Sequence, residues 1–186
     1  MTLLQVMPDD SPSTVLLRTD DTEKIATELE SSGARFERWP LVTAGGPDVL
    51  GAYRERAEAL CRRGGYQQVD VVAMVPDDAD PQWPEKARAA RLKFLEEHTH
   101  DEDEVRFFAS GRGCFYLHVG SHVVAVVCAA GDLLTVPRGT RHWFDMGTRP
   151  EFAAVRFFQR EDGWIGDFTR SGIAGSFPSL DELMPS

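Results

Sequence analysis

Four side chains of the types that bind transition metals fall into one short stretch and one distant position. His98, His100 and Glu104 lie within seven residues, and His142 follows 38 residues after Glu104. In an extended strand, side chains at even spacing share a face, so the first three would point the same way. Imidazole and carboxylate ligands suit Fe(II), Ni(II) or Mn(II). Four protein ligands leave two positions of an octahedral ion open, which predicts chemistry at the ion rather than a purely structural metal.

The elements that must position these residues are short strands. From about residue 96 onward the chain alternates β-rich runs with glycine-containing turns, and no helical period is visible. The predicted strands are 105–109, 114–119, 122–129, 133–136, 142–145 and 152–159. Gly111-Arg112-Gly113 and Gly120-Ser121 are interpreted as turns. Many short strands joined by such turns predict a mainly β fold, most simply a jelly-roll barrel.

The first 95 residues mix helix and strand signals. A helix capped by Asp20 or Asp21 should end at Gly33, and a second should run from Pro47 to Gly64-Gly65. Strands are predicted at 34–39 and 66–75, and a further helix at 84–94.

The chain is predicted to form a single domain of residues 1–186. An extension of helices and strands (1–95) would pack on a metal-binding barrel (96–160), followed by a C-terminal segment (161–186). That last segment has little periodicity, so its end is expected to fray while Trp164, Ile165 and Phe168 dock.

Composition narrows the possible partners. The net charge is −10 and the pI is near 4.9, which argues against nucleic acid and against anionic membranes. Three cysteines form no pattern typical of disulfides, and the N-terminus does not resemble a signal peptide. We therefore expect a cytoplasmic protein, a monomer, whose partners are small molecules.

Two linked patterns carry a family resemblance. The first is His98-x-His100-x3-Glu104-x6-Gly111, and the second is Gly131-x5-Pro137-x-Gly139-x2-His142. Together they resemble the cupin superfamily, in which such residues bind a metal inside a double-stranded β-helix. One departure is Met146, which stands where the family often has asparagine. The resemblance implies a cupin barrel and a metal shell of His98, His100, Glu104 and His142.

The sequence segments around these residues indicate a more specific family. The runs 97–108 (EHTHDEDEVRFF), 111–113 (GRG) and 141–147 (RHWFDMG) resemble the acireductone dioxygenases, as does EDGW at 161–164. This resemblance implies an enzyme of methionine salvage that cleaves 1,2-dihydroxy-3-keto-5-methylthiopentene with O2. It also implies one Fe(II) or Ni(II) per chain. The Fe(II) form would give formate and 4-methylthio-2-oxobutanoate, and the Ni(II) form would give formate, CO and 3-methylthiopropionate. The ligand set does not distinguish these ions.

Arg106 and three aromatic residues complete the predicted site. Arg106 shares strand parity with Glu104, so its guanidinium should point inward, where it could hold an anionic substrate oxygen. The alternative is a structural ion pair with a barrel carboxylate. Phe94, Phe144 and Trp164 are candidates for an apolar pocket around the methylthio tail, although aromatic residues also fill barrel cores.

A cupin dioxygenase acting on a flavonol or a thiol, or a cupin that only binds a ligand such as a sugar, would share the metal pattern. His118 and His122 flank a predicted hairpin tip and are expected to be solvated rather than metal ligands. Asp101, Glu102 and Asp103 are expected to form an exposed acidic turn.

Overall fold

Antiparallel strands dominate the computed structural model, which describes residues 1–42 and 48–185. The strands are β1 (Leu3–Pro8), β2 (Leu17–Thr19), β3 (Arg35–Arg38), β4 (Gln68–Met74), β5 (His98–Thr99), β6 (Glu104–Val119), β7 (His122–Ala129), β8 (Asp132–Val136), β9 (Arg141–Asp145), β10 (Phe152–Phe158) and β11 (Asp167–Phe168). The helices are α1 (Thr22–Ser31), α2 (Val49–Ala52), α3 (Arg54–Gly64), α4 (Trp83–Leu92) and α5 (Leu180–Leu183), with a 3₁₀ turn at Ile173–Ser176.

The strands form two sheets that share β6. One sheet has the order β2-β1-β7-β6-β9-β5-β11, and the other has the order β3-β8-β6-β10-β4. The first half of β6 pairs with β8 and β10, and its second half pairs with β7 and β9. The predicted mainly β architecture is confirmed, and the shared strand holds the two sheets face to face.

Three apolar layers follow from strand alternation, because successive side chains point to opposite faces of each sheet. Between the sheets, β1, β7 and β6 contribute residues that pack with the buried face of α1; these include Leu4, Val126, Phe115, Ile25 and Leu29. The outer face of the β1–β7 sheet is covered by the C-terminal segment, and the outer face of the β8–β10 sheet by α2 and α3. Both faces of β7 are therefore buried, which explains its unbroken apolar run.

The predicted turn at Gly111-Arg112-Gly113 is wrong, because β6 runs through it as one strand of 16 residues. The strand must bend where it leaves one sheet for the other. A register shift beside Ala153 and Ala154 of β10 marks this bend, and Gly111 has a φ of 66°. Glycine adopts this left-handed conformation without the steric cost that a Cβ would bring. Glycines that indicate a turn between two strands can equally indicate a bend within one.

Substitution of Gly111 should therefore destabilise the fold strongly. A Cβ at this position would overlap the carbonyl oxygen of Glu151 and the Cα of Phe152, neither of which can move freely. We expect Gly111→Ala to lower the free energy of unfolding by at least about 3 kcal/mol, measured by urea denaturation. Gly120→Ala is the matched control, because Gly120 has a φ of 59° but no atom near the added Cβ. We expect it to lower the free energy of unfolding by about 1 kcal/mol. Equal losses would show that the close approach at Gly111 does not matter.

α1 and α4 lie close to where the sequence predicts helices, whereas the predicted second helix is divided at Tyr53 into α2 and α3. Asp21 caps α1 by accepting from the N–H groups of Glu23 and Lys24, and Gly65 ends α3 in the left-handed conformation. Pro47, predicted to open the second helix, lies outside the described residues. Within the described ranges, no helix is long and apolar enough to cross a membrane.

The N-terminal strands do more than pack on the barrel. β1 pairs with β7, β3 with β8, and β4 with β10, so residues 1–95 extend both sheets by hydrogen bonding. The division of the chain into an extension, a barrel core and a C-terminal segment stays a prediction.

The end of the chain docks through residues that the sequence did not indicate. Phe177, Leu180 and Leu183 are buried against the outer face of the β1–β7 sheet. Ser179 and Glu182 cap α5 reciprocally, and the N–H of Leu180 donates to the buried carboxylate of Asp145 at 2.9 Å. The expectation that this end frays is therefore wrong up to residue 185. A helix of one turn with three apolar residues around it is too short for a hydrophobic periodicity to be detected in the sequence.

Candidate metal centre

His98, His100, Glu104 and His142 converge at one end of the space between the sheets. His98 on β5 lies opposite His142 on β9, while Glu104 begins β6. One ligand atom from each of the four lies within 4.8 Å of all the others. All four residues are buried, between 2% and 9% exposed. The structure thus brings together the four residues that the sequence predicted as one group.

The single strand assumed for His98 to Glu104 is wrong, although its conclusion about convergence holds. β5 ends at Thr99 and β6 begins at Glu104, so residues 100–103 form a connection between the two strands. The carbonyl of His100 accepts from the N–H of Gly139 at 2.9 Å. Glu102 is buried and accepts from the N–H groups of Gln159 and Arg160, which corrects its assignment to an exposed turn. The connection is thereby held at His100 and at Glu102.

Each histidine is held by its Nδ1 atom. Nδ1 of His98 lies 2.8 Å from the carbonyl of Glu96, Nδ1 of His100 lies 2.9 Å from that of Ile165, and Nδ1 of His142 lies 2.7 Å from that of Thr140. A carbonyl oxygen only accepts, so each Nδ1 must be the donor. In the neutral ring the proton is then on Nδ1 and the lone pair on Nε2, which is the tautomer that a metal ion needs.

The protonation states of the cluster's side chains also favour the binding of a cation. Oε2 of Glu104 lies 2.5 Å from Nε2 of His142 and 3.4 Å from Nε2 of His100. Burial, followed by the charge of His142, lowers the pKa of His98 to about 4, so this ring is neutral near pH 7. Burial alone would raise the pKa of Glu104, but Arg106 and the two histidines outweigh it and hold that pKa well below its usual value. A carboxylate among imidazole lone pairs is a donor set suited to a divalent transition metal ion.

Arg106 points inward, as its parity with Glu104 predicts. Its Nη2 lies 2.5 Å from Oε1 of Glu104, and its guanidinium lies over the ring of Phe158, 5.5 Å from the centroid. Its side chain is 11% exposed and lines the same cavity as His98 and His100. The ion pair with a barrel carboxylate and the inward position beside the cluster are thus both present.

A cavity of about 540 Å³ opens beside the four-residue cluster. Phe94 and Phe144 line it and pack edge to face, with ring centroids 6.4 Å apart. Their backbones are also joined, because the N–H of Phe144 donates to the carbonyl of Phe94 at 2.9 Å. Trp164 lines the cavity too, but it is 60% exposed and lies at the rim. The three aromatic residues named from the sequence therefore surround one cavity, two as walls and one at the entrance.

Comparison with known proteins identifies the family. The model of the ARD/ARD′ family matches residues 4–166. The chain belongs to the ARD/ARD′ family. Acireductone dioxygenase 2 of Nocardia farcinica is 57% identical over 188 residues, 99% of this chain and 98% of that protein. The acireductone dioxygenase of Saccharopolyspora erythraea is 52% identical over 190 residues and covers both chains fully.

A solved structure supports the fold. The acireductone dioxygenase from Bacillus anthracis, with a cadmium ion in its active centre, superposes with a TM-score of 0.73 at 24% identity, covering 90% of this chain and 98% of that one. The predicted cupin fold and the predicted family are both confirmed.

In this member of the ARD/ARD′ family, residues 164–168 form a flap over the cluster. β11 within the flap pairs with β5, and the ring of Phe168 packs on that of His98 with centroids 5.6 Å apart. A Cβ at Gly166 would lie 3.0 Å from Cδ2 of His98, so this glycine lets the flap approach the ring closely. The carbonyl of Ile165 accepts from His100, as described above. The sequence indicated Trp164 and Phe168 but not Gly166 or this carbonyl.

A second buried polar group anchors the end of the flap. Glu97, 1% exposed, accepts from the hydroxyls of Thr169 at 2.6 Å and Ser171 at 2.9 Å. His118 is buried beside it, with Nδ1 2.6 Å from the Glu97 carboxylate and Nε2 3.4 Å from that of Asp9. The expectation that His118 is solvated is therefore wrong, whereas His122 is exposed as expected. Both histidines lie outside the metal cluster.

Proposed function

We propose that this chain cleaves the acireductone 1,2-dihydroxy-3-keto-5-methylthiopentene with O2, as an acireductone dioxygenase of methionine salvage. The observation that carries the proposal is a cluster of three histidines and one glutamate beside a cavity that also has an inward arginine and an apolar wall. Family membership supports the same reaction, because relatives that match this chain over nearly its whole length are named for it. The partners are then a small molecule and O2, and we propose a monomer acting in the cytoplasm.

We further propose that His98, His100, Glu104 and His142 hold one Fe(II) or Ni(II), with other divalent ions as possible substitutes. When bound, the ion supplies Lewis acidity and a template that fixes which substrate carbons meet dioxygen. The Nδ1 hydrogen bonds support this assignment, because in each neutral ring they leave the Nε2 lone pair for the ion. Intrinsic affinities favour nickel over iron, but supply in the cell also decides occupancy.

The protein side chains have separate roles in this proposal. An acireductone is an enediol that ionises readily, and the fixed guanidinium of Arg106 would hold one of its anionic oxygens. Because Glu104 already orients Arg106, little reorganisation is needed when substrate binds. Phe94 and Phe144 would contact the methylthio tail. Trp164, with the rest of the flap, would limit the entry of water once substrate is bound.

The test is product analysis on protein loaded with one ion at a time. Anaerobically purified protein, stripped of metal and reloaded with Fe(II) or Ni(II), is mixed with enzymatically generated acireductone and O2. We expect the Fe(II) form to give formate and 4-methylthio-2-oxobutanoate, and the Ni(II) form to give formate, CO and 3-methylthiopropionate. Metal-free protein provides the rate of spontaneous decay. Decay no faster than this rate, without formate, would contradict the proposal and leave another dioxygenase or a binding protein as the alternative.

A further inference from the structure

The cavity beside the four-residue cluster differs in charge from the chain as a whole. The chain carries a net charge of −10. Among the described residues that line the cavity, apart from the histidines, the charged side chains are three cations and one carboxylate: Lys93, Arg106, Arg156 and Glu104. A cleft lined by one sign of charge raises the local concentration of ions of the opposite sign. The lining therefore favours an anionic ligand in a protein whose overall charge repels anions.

The two arginines of this lining already have carboxylate partners. Arg106 pairs with Glu104, as described above. Nε of Arg156 lies 2.7 Å from Oδ1 of Asp70 on the neighbouring strand β4. Both guanidinium charges are thus largely compensated by an adjacent carboxylate.

Lys93 differs in this respect from the arginines and from the two other lysines of the chain. Nζ of Lys24 lies 3.9 Å from Oδ2 of Asp21, and Nζ of Lys86 lies 2.7 Å from Oδ2 of Asp80. Lys93 forms no ion pair with a carboxylate in the part of the chain that the structure describes. Its ammonium is therefore the uncompensated positive charge of the cavity.

Lys93 lies at the mouth of the cavity. The lining residues that are exposed mark where the cavity meets solvent, and they are Lys93 together with Trp164, Ile165 and Phe168 of the flap. Among the described residues, the mouth thus consists of one cation and three large apolar side chains. A ligand that is anionic at one end and apolar at the other would find a partner for each end there.

The backbone holds Lys93 in this place. The residue directly follows α4, and its N–H donates to the carbonyl of Ala90 at 3.3 Å. The next residue, Phe94, is joined to β9 through the N–H of Phe144. A cation is also favoured at the C-terminal end of a helix, because the helix dipole is negative there. The ammonium is therefore anchored at the mouth, while its flexible four-carbon stem can follow a ligand inward.

We propose that Lys93 captures the ionised acireductone at the mouth of the cavity and directs it towards the cluster. The inference rests on the proposed function, which supplies the anionic enediol. The ammonium attracts this anion against the negative charge of the rest of the protein, and the exposed apolar side chains of the flap receive the methylthio tail. Because the contact is made on entry, it strengthens binding of the substrate without favouring the transition state further.

The test is the salt dependence of kcat/KM in protein loaded with a single ion. Methylthio acireductone is supplied to the wild type and to Lys93→Gln at ionic strengths of about 0.01 M and about 1 M, where charges are screened beyond about 30 Å and about 3 Å. At the lower ionic strength we expect Lys93→Gln to lower kcat/KM by about fivefold, the worth of one exposed charge contact, with kcat unchanged. At the higher ionic strength the two proteins should differ by less than about twofold.

Two further variants separate the charge of Lys93 from its shape and from the net charge of the protein. Lys93→Arg keeps the positive charge and should recover most of the wild-type kcat/KM at low ionic strength. Lys24→Gln makes the same change in net charge at a side chain that is 70% exposed and does not line the cavity, so it should behave as the wild type.

Several results would overturn the role of Lys93. They are an unchanged kcat/KM in Lys93→Gln at low ionic strength, a loss that persists at high ionic strength, and an equal loss in Lys24→Gln. If the wild type turns the compound over and one of these results is found, only the role of Lys93 is wrong.

Failure of the proposed function looks different, because the wild type itself would then not turn the acireductone over. The role of Lys93 is in that case judged from anaerobic equilibrium binding of the same compound at low ionic strength. Lys93→Gln must bind it about fivefold more weakly than the wild type does. Equal binding by the two proteins, or no binding by the wild type, would overturn the inference as well.

Discussion

His98→Ala is expected to lose most of its bound metal and, with it, the cleavage of acireductone. Removing one of three imidazoles leaves a poorly saturated site, and the Nδ1 bond that orients this ring to the carbonyl of Glu96 is lost too. Changes to residues that merely orient a ligand cost about 10- to 100-fold in metal affinity, so removing the ligand itself should cost at least about 100-fold. Elemental analysis of the purified variant gives the ratio of metal to protein directly.

His122→Ala is the control for this experiment. His122 is an exposed histidine outside the cluster, so this variant should keep the wild-type metal content and activity. Full metal content in His98→Ala would show that His98 is not a ligand. Loss of metal in both variants would indicate general instability instead, and circular dichroism would reveal it.

Arg106→Ala is expected to keep its ion and lose turnover. The four proposed ligands remain in place, while the guanidinium proposed to hold an anionic oxygen is removed. Loss of one preorganised electrostatic contact typically lowers kcat by about 100- to 1,000-fold. Metal content and kcat are measured on the same preparation, and Arg106→Lys should recover only part of the rate, because an ammonium cannot reproduce the planar guanidinium.

The control separates the proposed role from a purely structural one. Arg112→Ala removes an exposed arginine further along the same strand and should leave kcat unchanged. If Arg106 served only to pair with Glu104, its loss would reduce metal content or thermal stability while metal-loaded protein turned over normally. Unchanged kcat in the metal-loaded variant would therefore remove Arg106 from the proposed reaction.

Much of the site could be predicted from the sequence because its signals are local. β7, β8, β9 and β10 begin and end within a residue of the predicted bounds, since each alternates or runs apolar between glycines. His142 and Phe144 share a face because they lie two apart on one strand, and the structure places His142 in the cluster and Phe144 in the wall of the cavity. The four residues of the cluster are predicted by their types and spacing alone.

The features that the sequence missed depend on which segments meet in space. A glycine pattern cannot distinguish a turn from the bend inside β6, because the difference is whether β10 and β7 lie alongside. His118 is buried because Glu97 and Asp9, both distant in sequence, surround it. The docking of α5 similarly depends on the face of a sheet built by β1 and β7. Strand pairing of this kind is non-local, and local patterns do not encode it.

The pairing of strands that are distant in sequence has a consequence for when the proposed metal site can form during biosynthesis. β7 pairs with β1 from the start of the chain, His98 lies opposite His142, and the flap comes from residues 164–168. A ribosome releases the N-terminus first, and contacts between residues far apart in sequence form late in folding. The nascent chain therefore presents His98 and His100 well before His142 and the flap exist. The four proposed ligands can therefore surround an ion only after His142 and the flap have been synthesised.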